Sequence, residues 1–386
     1  MNPLDPLTAA QLADDVYLVR ASDAAERRRS IARLPAGFSL GAPLAGRTGL
    51  GPGVASNLGF VATRSGGGGR EVIVALRGTE LTFPPDVFTD LLLADFSRAT
   101  AHGVHAGFAR TWSSIAGQID EALPAQAISG ATVHCIGHSL GGALATLVAD
   151  RLSRQGALVK LYTFGSPRVA GADFCDQLTA RVGRENIFRV YHPADPVPMA
   201  PLYPFAHVPW NHCGCAIACG PQERFSVGRH SMAGYVQAMS GVSFAQLTQN
   251  GPQTLTDRQI EQWLQTVRSG GWVQNWGARA SEMIAIALDW VLRKLLEGGL
   301  ILLQPYFAAG IGALDLLAFA LHRATQIAER TAWYVEAMIQ AIMQFIGRSW
   351  DRGKFLTYEF LRWALDVAAR EIRRLVAGAL RLIPRG

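Results

Sequence analysis

A five-residue motif, Gly137-His138-Ser139-Leu140-Gly141, constrains the fold of this 386-residue chain more than any other feature. The motif follows the apolar run Thr132–Ile136 and precedes residues 142–149, whose composition is typical of a helix. In the pattern Gly-x-Ser-x-Gly the serine lies at a sharp, strained turn, and the glycines let the strand and the helix approach without Cβ clashes. The sequence therefore predicts a buried strand, a tight turn and a helix, with the hydroxyl of Ser139 at the carboxyl edge of a sheet.

The rest of the first 270 residues alternates between strand and helix patterns. Val72–Leu76 is apolar throughout, which suits a strand buried on both faces. The turn residues Ser65–Gly69 predict a hairpin just before it. The predicted strands are 58–63, 71–77, 132–136, 158–164 and 187–191, and the predicted helices are 107–122 and 141–155. This alternation is typical of an α/β fold with a mostly parallel central sheet that helices cover on both faces.

The pattern changes after about residue 270. Residues 331–346 and 357–382 place apolar side chains at helical spacing, and no strand pattern is found there. We therefore expect two domains, an α/β domain over 1–270 and an all-helical domain over 271–386. The apolar run 300–321 approaches the length of a membrane span, but Pro305 and Asp315 interrupt it. A buried pair of helices is the favoured interpretation, and membrane insertion or docking is the alternative.

Composition and charge favour some classes of protein and exclude others. Hydrophobic residues make up 49% of the chain and charged residues 17%, so a large core is expected rather than disorder. The net charge of +6 favours an anionic surface without being a nucleic-acid footprint. The N-terminal residues lack the basic and apolar regions of a standard secretory signal. A cytoplasmic or membrane-associated location, or export by a route that needs no signal, is therefore expected.

The five cysteines do not predict a disulfide framework, because their number is odd and the chain is long. Free thiols in a reducing compartment are the expectation, with a disulfide to Cys219 as the alternative for an exported protein. His212, Cys213, Cys215 and Cys219 lie close together in the sequence, but their spacing matches no standard zinc site. No metal or organic cofactor is predicted.

The predicted nucleophile Ser139 needs a base, and that base needs an orienting group. In folds built around this motif the acid follows the serine in the chain and the histidine comes last. Asp195 comes just after the strand-like segment Ile187–Tyr191, where a carboxylate would reach the same sheet edge. His230 is the candidate base. His207 and His212 lie at a similar distance from the acid and remain rivals on this argument alone.

An enzyme of this kind also needs donors for the oxyanion that forms on the substrate carbonyl. The backbone N–H of Leu140 is one donor by construction, because it follows the nucleophile. Thr79 comes directly after the end of Val72–Leu76 in the sequence Arg77-Gly78-Thr79, and could supply a backbone N–H and a hydroxyl. The alternative for Thr79 is an ordinary capping residue at a strand end.

Residues from about 10 to 240 resemble a known family, the class 3 (fungal-type) lipases. The resemblance is carried, in order, by Ala75–Thr79, Ala94–Phe96, Val104–Phe108, Gly137–Gly142, Thr163–Val169, Asp195–Pro198 and His230–Met232. It implies an α/β-hydrolase fold, a Ser139–Asp195–His230 triad, and an oxyanion hole formed by Thr79 and Leu140. It also implies a lid over residues 80–96, and a ring at His138 that flanks the nucleophile without being the base.

The expected function is therefore hydrolysis of a lipid carboxylic ester, either an acylglycerol or a phospholipid cleaved in the manner of a phospholipase A1. The partners expected are the lipid substrate and a lipid–water interface, and no nucleic acid. The segment 271–386 is not matched by the family. We expect it to associate with lipid, so that its removal would lower turnover on vesicles more than on a soluble ester. The alternative is a membrane-active or exported effector whose C-terminal helices are the main functional element.

Overall fold

The computed structural model describes most of the chain. The described residues are 2–18, 34–48, 54–66, 69–78, 103–201, 205–209, 214–220, 223, 226–250, 256–270, 278–297, 313–350 and 356–380. Several sequence predictions lie outside them, namely Thr79, the segment 80–96, His212, Cys213 and residues 300–312 of the apolar run.

A mostly parallel sheet forms the centre of the α/β part. The described strands are β1 (Ser39–Thr48), β2 (Val54–Gly66), β3 (Gly69–Leu76), β4 (Thr132–His138), β5 (Leu158–Phe164), β6 (Ala170–Gly171), β7 (Ile187–Tyr191), β8 (Phe205–Ala206) and β9 (Cys215–Ala216). Seven of these described strands pair in the order β1-β2-β3-β4-β5-β7-β9, while β6 pairs with β8 separately. The pairs from β3 to β9 are parallel, and β1–β2 and β2–β3 are antiparallel. The predicted fold class is confirmed.

Helices surround the sheet and continue to the C-terminal region. In the described residues they are α1 (Pro6–Asp15), α2 (Ala106–Ser113), α3 (Ala116–Ala122), α4 (Ala125–Ile128), α5 (Leu140–Arg154), α6 (Ala172–Val182), α7 (Met232–Ala238), α8 (Phe244–Asn250), α9 (Asp257–Arg268), α10 (Ala278–Glu297), α11 (Ala313–Ile327), α12 (Glu329–Phe345) and α13 (Tyr358–Leu380). The predicted helix over 107–122 is two helices, α2 and α3.

The register of the parallel strands brings their carboxyl ends to one edge. Leu76 at the end of β3 pairs with Gly137, and His138 at the end of β4 pairs with Phe164. Phe164 in turn pairs with Val190 near the end of β7. The segments that follow β3, β4, β5 and β7 therefore all leave the sheet at the same edge, which is where ligands bind in open α/β sheets.

Apolar side chains cover both faces of the sheet. On one face Val133 of β4 packs in a cluster with Leu144 of α5. On the other face Ile136 of β4 packs with Leu12 of α1 and Tyr235 of α7. Successive residues of a strand point to opposite faces, and every residue of β4 is buried, so this strand is covered on both sides.

Two elements at the start of the chain were not predicted. Strand β1 contains Pro43 and two glycines, a composition that disfavours strands except at sheet edges. It is the edge strand, and its register shifts between Leu40 and Pro43. Helix α1 begins at Pro6 after Asp5, whose side chain accepts a hydrogen bond from the Thr8 N–H at 3.0 Å. An acidic N-cap followed by proline is a recognisable helix start.

The C-terminal helices form a third apolar cluster, apart from the two that cover the sheet. Its buried members come from α9 to α13 and include Ile260 and Leu264, which precede residue 271. Among the described helices, none is long and apolar enough to cross a membrane. Asp315 of α11 accepts hydrogen bonds from Arg362 Nε at 2.7 Å and from the Tyr358 hydroxyl at 3.0 Å. These partners show how a carboxylate is accommodated inside the apolar run.

Candidate active site

Ser139 lies at the turn between β4 and α5 and has a strained backbone. Its φ is 56° and its ψ is −129°, and among the described residues it is the only non-glycine residue with a positive φ. A Cβ at Gly137 would lie 2.1 Å from the carbonyl oxygen of Gly141. A Cβ at Gly141 would lie 2.1 Å from the carbonyl oxygen of Leu76. Both glycines are therefore required by close backbone approach, and they hold the serine out at the sheet edge.

Three side chains proposed from the sequence form one line of hydrogen bonds. Nε2 of His230 lies 2.9 Å from Oγ of Ser139, and Nδ1 of the same ring lies 2.8 Å from Oδ2 of Asp195. All three residues are buried. With Nδ1–H donating to the carboxylate, Nε2 is free to accept the serine proton. This is the geometry of an activated nucleophile, its base and an orienting acid.

The carboxylate of Asp195 is held by two further donors. The Tyr235 hydroxyl donates to Oδ2 at 2.7 Å, and the N–H of Val197 donates to Oδ1 at 2.9 Å. Burial, and then the adjacent Asp195 charge, raise the pKa of Tyr235 well above its ordinary value, so the hydroxyl keeps its proton. Gly165 has φ 54°, and a Cβ there would lie 2.8 Å from Oδ2 of Asp195 and 3.1 Å from Nδ1 of His230.

A second chain of hydrogen bonds, through Tyr17 and His138, holds the backbone of the proposed base. The Tyr17 hydroxyl lies 2.7 Å from Nδ1 of His138, and Nε2 of His138 lies 3.0 Å from the carbonyl oxygen of His230. The N–H of Gly78 donates to the Tyr17 oxygen at 3.0 Å. Burial, followed by the nearby His230, lowers the pKa of His138 well below its ordinary value. The neutral ring therefore accepts at Nδ1 and donates from Nε2 to the backbone of the base.

Of the two predicted oxyanion donors, the structure describes Leu140 but not Thr79. Leu140 is the first residue of α5, where the backbone N–H has no acceptor within the helix and lies at the positive end of the helix dipole. Thr79 lies outside the described residues, as does the predicted lid over 80–96. Gly78, which precedes Thr79, lies against the nucleophile, since a Cβ there would come within 2.9 Å of the Ser139 Cβ.

One rival base is placed elsewhere by the structure. Nε2 of His207 donates to the carbonyl oxygen of Pro198 at 2.7 Å, whereas the ring that reaches Ser139 is that of His230. The other rival, His212, is not among the described residues.

His192, Cys219 and Glu223 lie close together, and each has a side chain of a type that can coordinate a metal ion. Nδ1 of His192 accepts the N–H of Ala194 at 3.0 Å, so the neutral ring carries its proton on Nε2, which faces Glu223 at 3.7 Å. Arg229 also pairs with Glu223 at 2.6 Å. A metal-bound histidine needs the opposite arrangement, with the free lone pair toward the metal. The group fits a hydrogen-bonded ion pair better than a metal site.

Tyr17 and Tyr235 were missed by sequence reasoning. Tyr235 comes five residues after His230, but a tyrosine at that spacing has no distinctive pattern. Tyr17 precedes its partner His138 by 121 residues, so only the packing of α1 on the sheet brings them together.

Parts of the chain are similar in sequence to known lipases and a phospholipase. The model of the family described as Lipase (class 3) matches residues 73–205. A secreted mono- and diacylglycerol lipase from Fusarium solani is 35% identical over 145 residues, which cover 36% of this chain and 41% of the relative. A phospholipase A1 from rice is 32% identical over 132 residues, covering 28% of each chain. The chain thus spans less than half the length of these relatives.

Solved lipase structures are similar to this chain at lower sequence identity. The structure of Lip2 lipase from Yarrowia lipolytica has 22% identity and a TM-score of 0.41, covering 56% of this chain and 79% of that one. The mono- and diacylglycerol lipase of Aspergillus oryzae has 23% identity and a TM-score of 0.40, covering 57% and 82% respectively. The segment 73–205 therefore matches the class 3 lipase family, and the comparisons assign no family to the rest of the chain.

Proposed function

We propose that this chain hydrolyses carboxylic esters of lipids by nucleophilic catalysis at Ser139. The observation that carries the proposal is the unbroken buried line from Asp195 through His230 to the Oγ of Ser139, with distances of 2.8 and 2.9 Å. Both distances are hydrogen-bond distances, so His230 can take the proton of Ser139 while Asp195 orients its ring. The strained turn at Ser139 presents the hydroxyl for attack.

The proposed reaction has two halves. In the first, Nε2 of His230 takes the proton from Ser139 as Oγ attacks the ester carbonyl, and the tetrahedral oxyanion is held by the N–H groups of Leu140 and Thr79. His230 then gives the proton to the departing alcohol, which leaves an acyl group on Ser139. In the second half His230 activates a water molecule, which releases the fatty acid. This chemistry needs no metal or organic cofactor.

Asp195 has two functions in this proposal. It holds the Nδ1–H tautomer of His230, and it stabilises the ring when Nε2 becomes protonated. The donors Tyr235 and Val197 keep both carboxylate oxygens occupied, so the acid is pre-organised in one orientation.

The proposed substrates are acylglycerols and glycerophospholipids. The matched relatives are named as a mono- and diacylglycerol lipase and as a phospholipase A1, and both names describe attack on a carboxylic ester of glycerol. The same triad serves either substrate, because the acyl carbonyl is common to both.

An aromatic group formed by α13 and the segment that follows α12 is the proposed contact with the lipid surface. Phe360 stacks between Trp350 and Trp363, with ring centroids 6.1 and 5.8 Å apart, and Trp363 is 36% exposed. The guanidinium of Arg348 lies 5.3 Å from the centre of the Trp363 ring. Exposed tryptophan beside arginine is the composition favoured at head-group level, where the ring is amphipathic and the cation meets lipid phosphates.

A lipid panel tests the proposal. The purified protein is assayed on emulsified di- and trioleoylglycerol, on dioleoyl phosphatidylcholine vesicles and on soluble p-nitrophenyl butyrate, with Ser139→Ala as the blank. We expect release of oleic acid from at least one lipid, and labelling of Ser139 by a fluorophosphonate. Turnover of the soluble ester alone, with no fatty acid from any lipid, would refute the substrate class. Fatty-acid release that persists in Ser139→Ala would refute the mechanism.

The surface contact is tested separately by Trp363→Gln. We expect a lower rate on vesicles containing anionic lipid and an unchanged rate on p-nitrophenyl butyrate. The matched control is Leu158→Gln, since Leu158 is 60% exposed at the start of β5, away from the carboxyl edge. Equal effects of the two substitutions on vesicles would contradict the assignment of Trp363 to the interface.

A further inference from the structure

Helix α13 belongs to two apolar cores. Its first half contributes Leu361 and Leu365 to the cluster of C-terminal helices. Its second half contributes Ile372, Val376 and Ala379 to the cluster that contains the sheet and α5. The helix has 23 residues, which corresponds to a rod of roughly 34 Å. It therefore connects the C-terminal helices mechanically to the α/β part.

The second half of α13 packs against the short helix that carries the proposed base. This 3-10 helix spans Val227–His230, and α13 lies directly against it. The two helices approach closely at Gly378, where a Cβ would lie only 2.8 Å from Cγ1 of Val227. Glycine is unfavourable in the interior of a helix compared with alanine, so its presence here requires a packing reason. The approach of Val227 supplies that reason.

The same helix also lies against the segment that follows the proposed acid. Residues Val197–Met199 form a short 3-10 helix two residues after Asp195, and α10 and α13 both contact it. The two segments are joined by a backbone hydrogen bond from the Ser226 N–H to the Ala194 carbonyl oxygen at 3.0 Å. The C-terminal helices therefore support the acid and the base of the line together.

We propose that α13 is a positioning element for the proposed base: the contact of Gly378 with Val227 seats the Val227–His230 turn so that Nε2 meets Oγ of Ser139. This inference rests on the proposed function. His230 is held on its other side by His138, whose Nε2 bonds to the His230 carbonyl oxygen at 3.0 Å. A push on Val227 is therefore transmitted to the ring of His230, because the backbone has little freedom to relax elsewhere. The C-terminal helices act on the reaction through this turn.

The test is a compensating pair of substitutions in the full chain. Gly378→Ala places a methyl group against Val227 and displaces the turn, so we expect kcat on p-nitrophenyl butyrate to fall by roughly tenfold, with KM nearly unchanged. The double variant Gly378→Ala with Val227→Ala gives the new methyl group the space vacated by the valine, so kcat should recover to within about threefold of the wild type. The rate at which a fluorophosphonate labels Ser139 should follow the same order.

The control is Ala369→Val, which crowds the same helix at a buried position in the C-terminal cluster. It should lower the melting temperature while leaving kcat per labelled site unchanged. The inference would be overturned if Gly378→Ala kept the wild-type kcat per labelled site, or if Ala369→Val lowered kcat as much as Gly378→Ala does. Either result would leave the proposed function standing. A wild-type protein that is not labelled at Ser139 would overturn the proposed function as well.

Discussion

The hydroxyl of Tyr17 and the Nδ1 atom of His138 lie 2.7 Å apart, although 121 residues separate them in the chain. Tyr17 lies in the short 3-10 helix Val16–Leu18 that follows α1, and this contact brings that helix next to the residue that precedes the nucleophile. Tyr17 also accepts the N–H of Gly78 at 3.0 Å, next to the predicted oxyanion residue Thr79. One hydroxyl therefore joins the backbone of the proposed base, by way of His138, to the end of β3.

Tyr17→Phe tests the function of this hydroxyl. The substitution keeps the ring but leaves Nδ1 of His138 and the N–H of Gly78 without this partner. We expect kcat on p-nitrophenyl butyrate to fall by on the order of 10 to 100-fold, because the base and the oxyanion segment lose a fixed support. KM should change little. A variant with wild-type kcat would show that the contact serves stability alone.

Ser139→Ala tests the nucleophile. Hydrolysis of p-nitrophenyl butyrate should fall by on the order of 10⁴ to 10⁶-fold, since the acyl-enzyme can no longer form. Far-ultraviolet circular dichroism should be unchanged, because the hydroxyl contacts the side chain of His230 and the substitution leaves the backbone hydrogen bonds of β4 and α5 in place. Retention of more than a few per cent of wild-type turnover would remove Ser139 from the mechanism.

His230→Ala should be as damaging as Ser139→Ala, whereas His207→Ala and His212→Ala should be mild. The reason is that the ring of His230 reaches Oγ of Ser139 at 2.9 Å, while His207 bonds to the Pro198 carbonyl oxygen. The measurement is kcat/KM for the three variants on one soluble ester. An inactive His207→Ala protein beside an active His230→Ala protein would transfer the base to His207.

His105 should make the folded state sensitive to acid. Burial lowers its pKa from 6.5 to about 4, and no hydrogen-bond partner of its Nε2 is found among the described residues. The unfolded chain therefore binds the proton more tightly than the folded one. The resulting stability is present above pH 6.5 and is lost as the pH falls from 6.5 to 4. The full loss amounts to about 3 kcal/mol.

The check is urea unfolding of the wild type and of His105→Asn at pH 7.5 and 4.5. Asparagine cannot titrate, and its oxygen can replace Nδ1 as the acceptor of the Gly107 N–H that begins α2. The wild type should lose about 2 to 3 kcal/mol more than the variant between the two pH values. Identical losses would show that His105 is not the acid-sensitive group.

The parts of the site predicted from sequence are those set by local structure. The turn at Ser139 follows from two glycines within five residues, and Asp195 comes shortly after the end of β7. The order of the parallel strands then brings such segments to one edge without any detailed knowledge of packing. His230 could be separated from its rivals only by resemblance or by the fold, because His207 and His212 also follow Asp195 in the chain.

The parts that were not predicted depend on contacts between distant segments. Tyr17 reaches His138 only because α1 packs on the sheet. Gly378 lies against Val227 although 151 positions separate them, and glycine in a helix gives no indication of what it contacts. The sequence pattern predicts 271–386 as a lipid-associating domain of its own, whose removal affects vesicle substrates more than a soluble ester. Because Ile372, Val376 and Ala379 complete the α/β core, its deletion should now impair soluble and vesicular substrates alike.

The placement of α13 in both apolar cores also has a consequence for cooperativity. A helix that completes one core and anchors another cannot leave either without exposing apolar side chains in both. The α/β part and the C-terminal helices should therefore behave as a single folding unit. Backbone amides of Leu365 and Val376, which lie in different cores on this helix, should exchange their hydrogens through the same global opening.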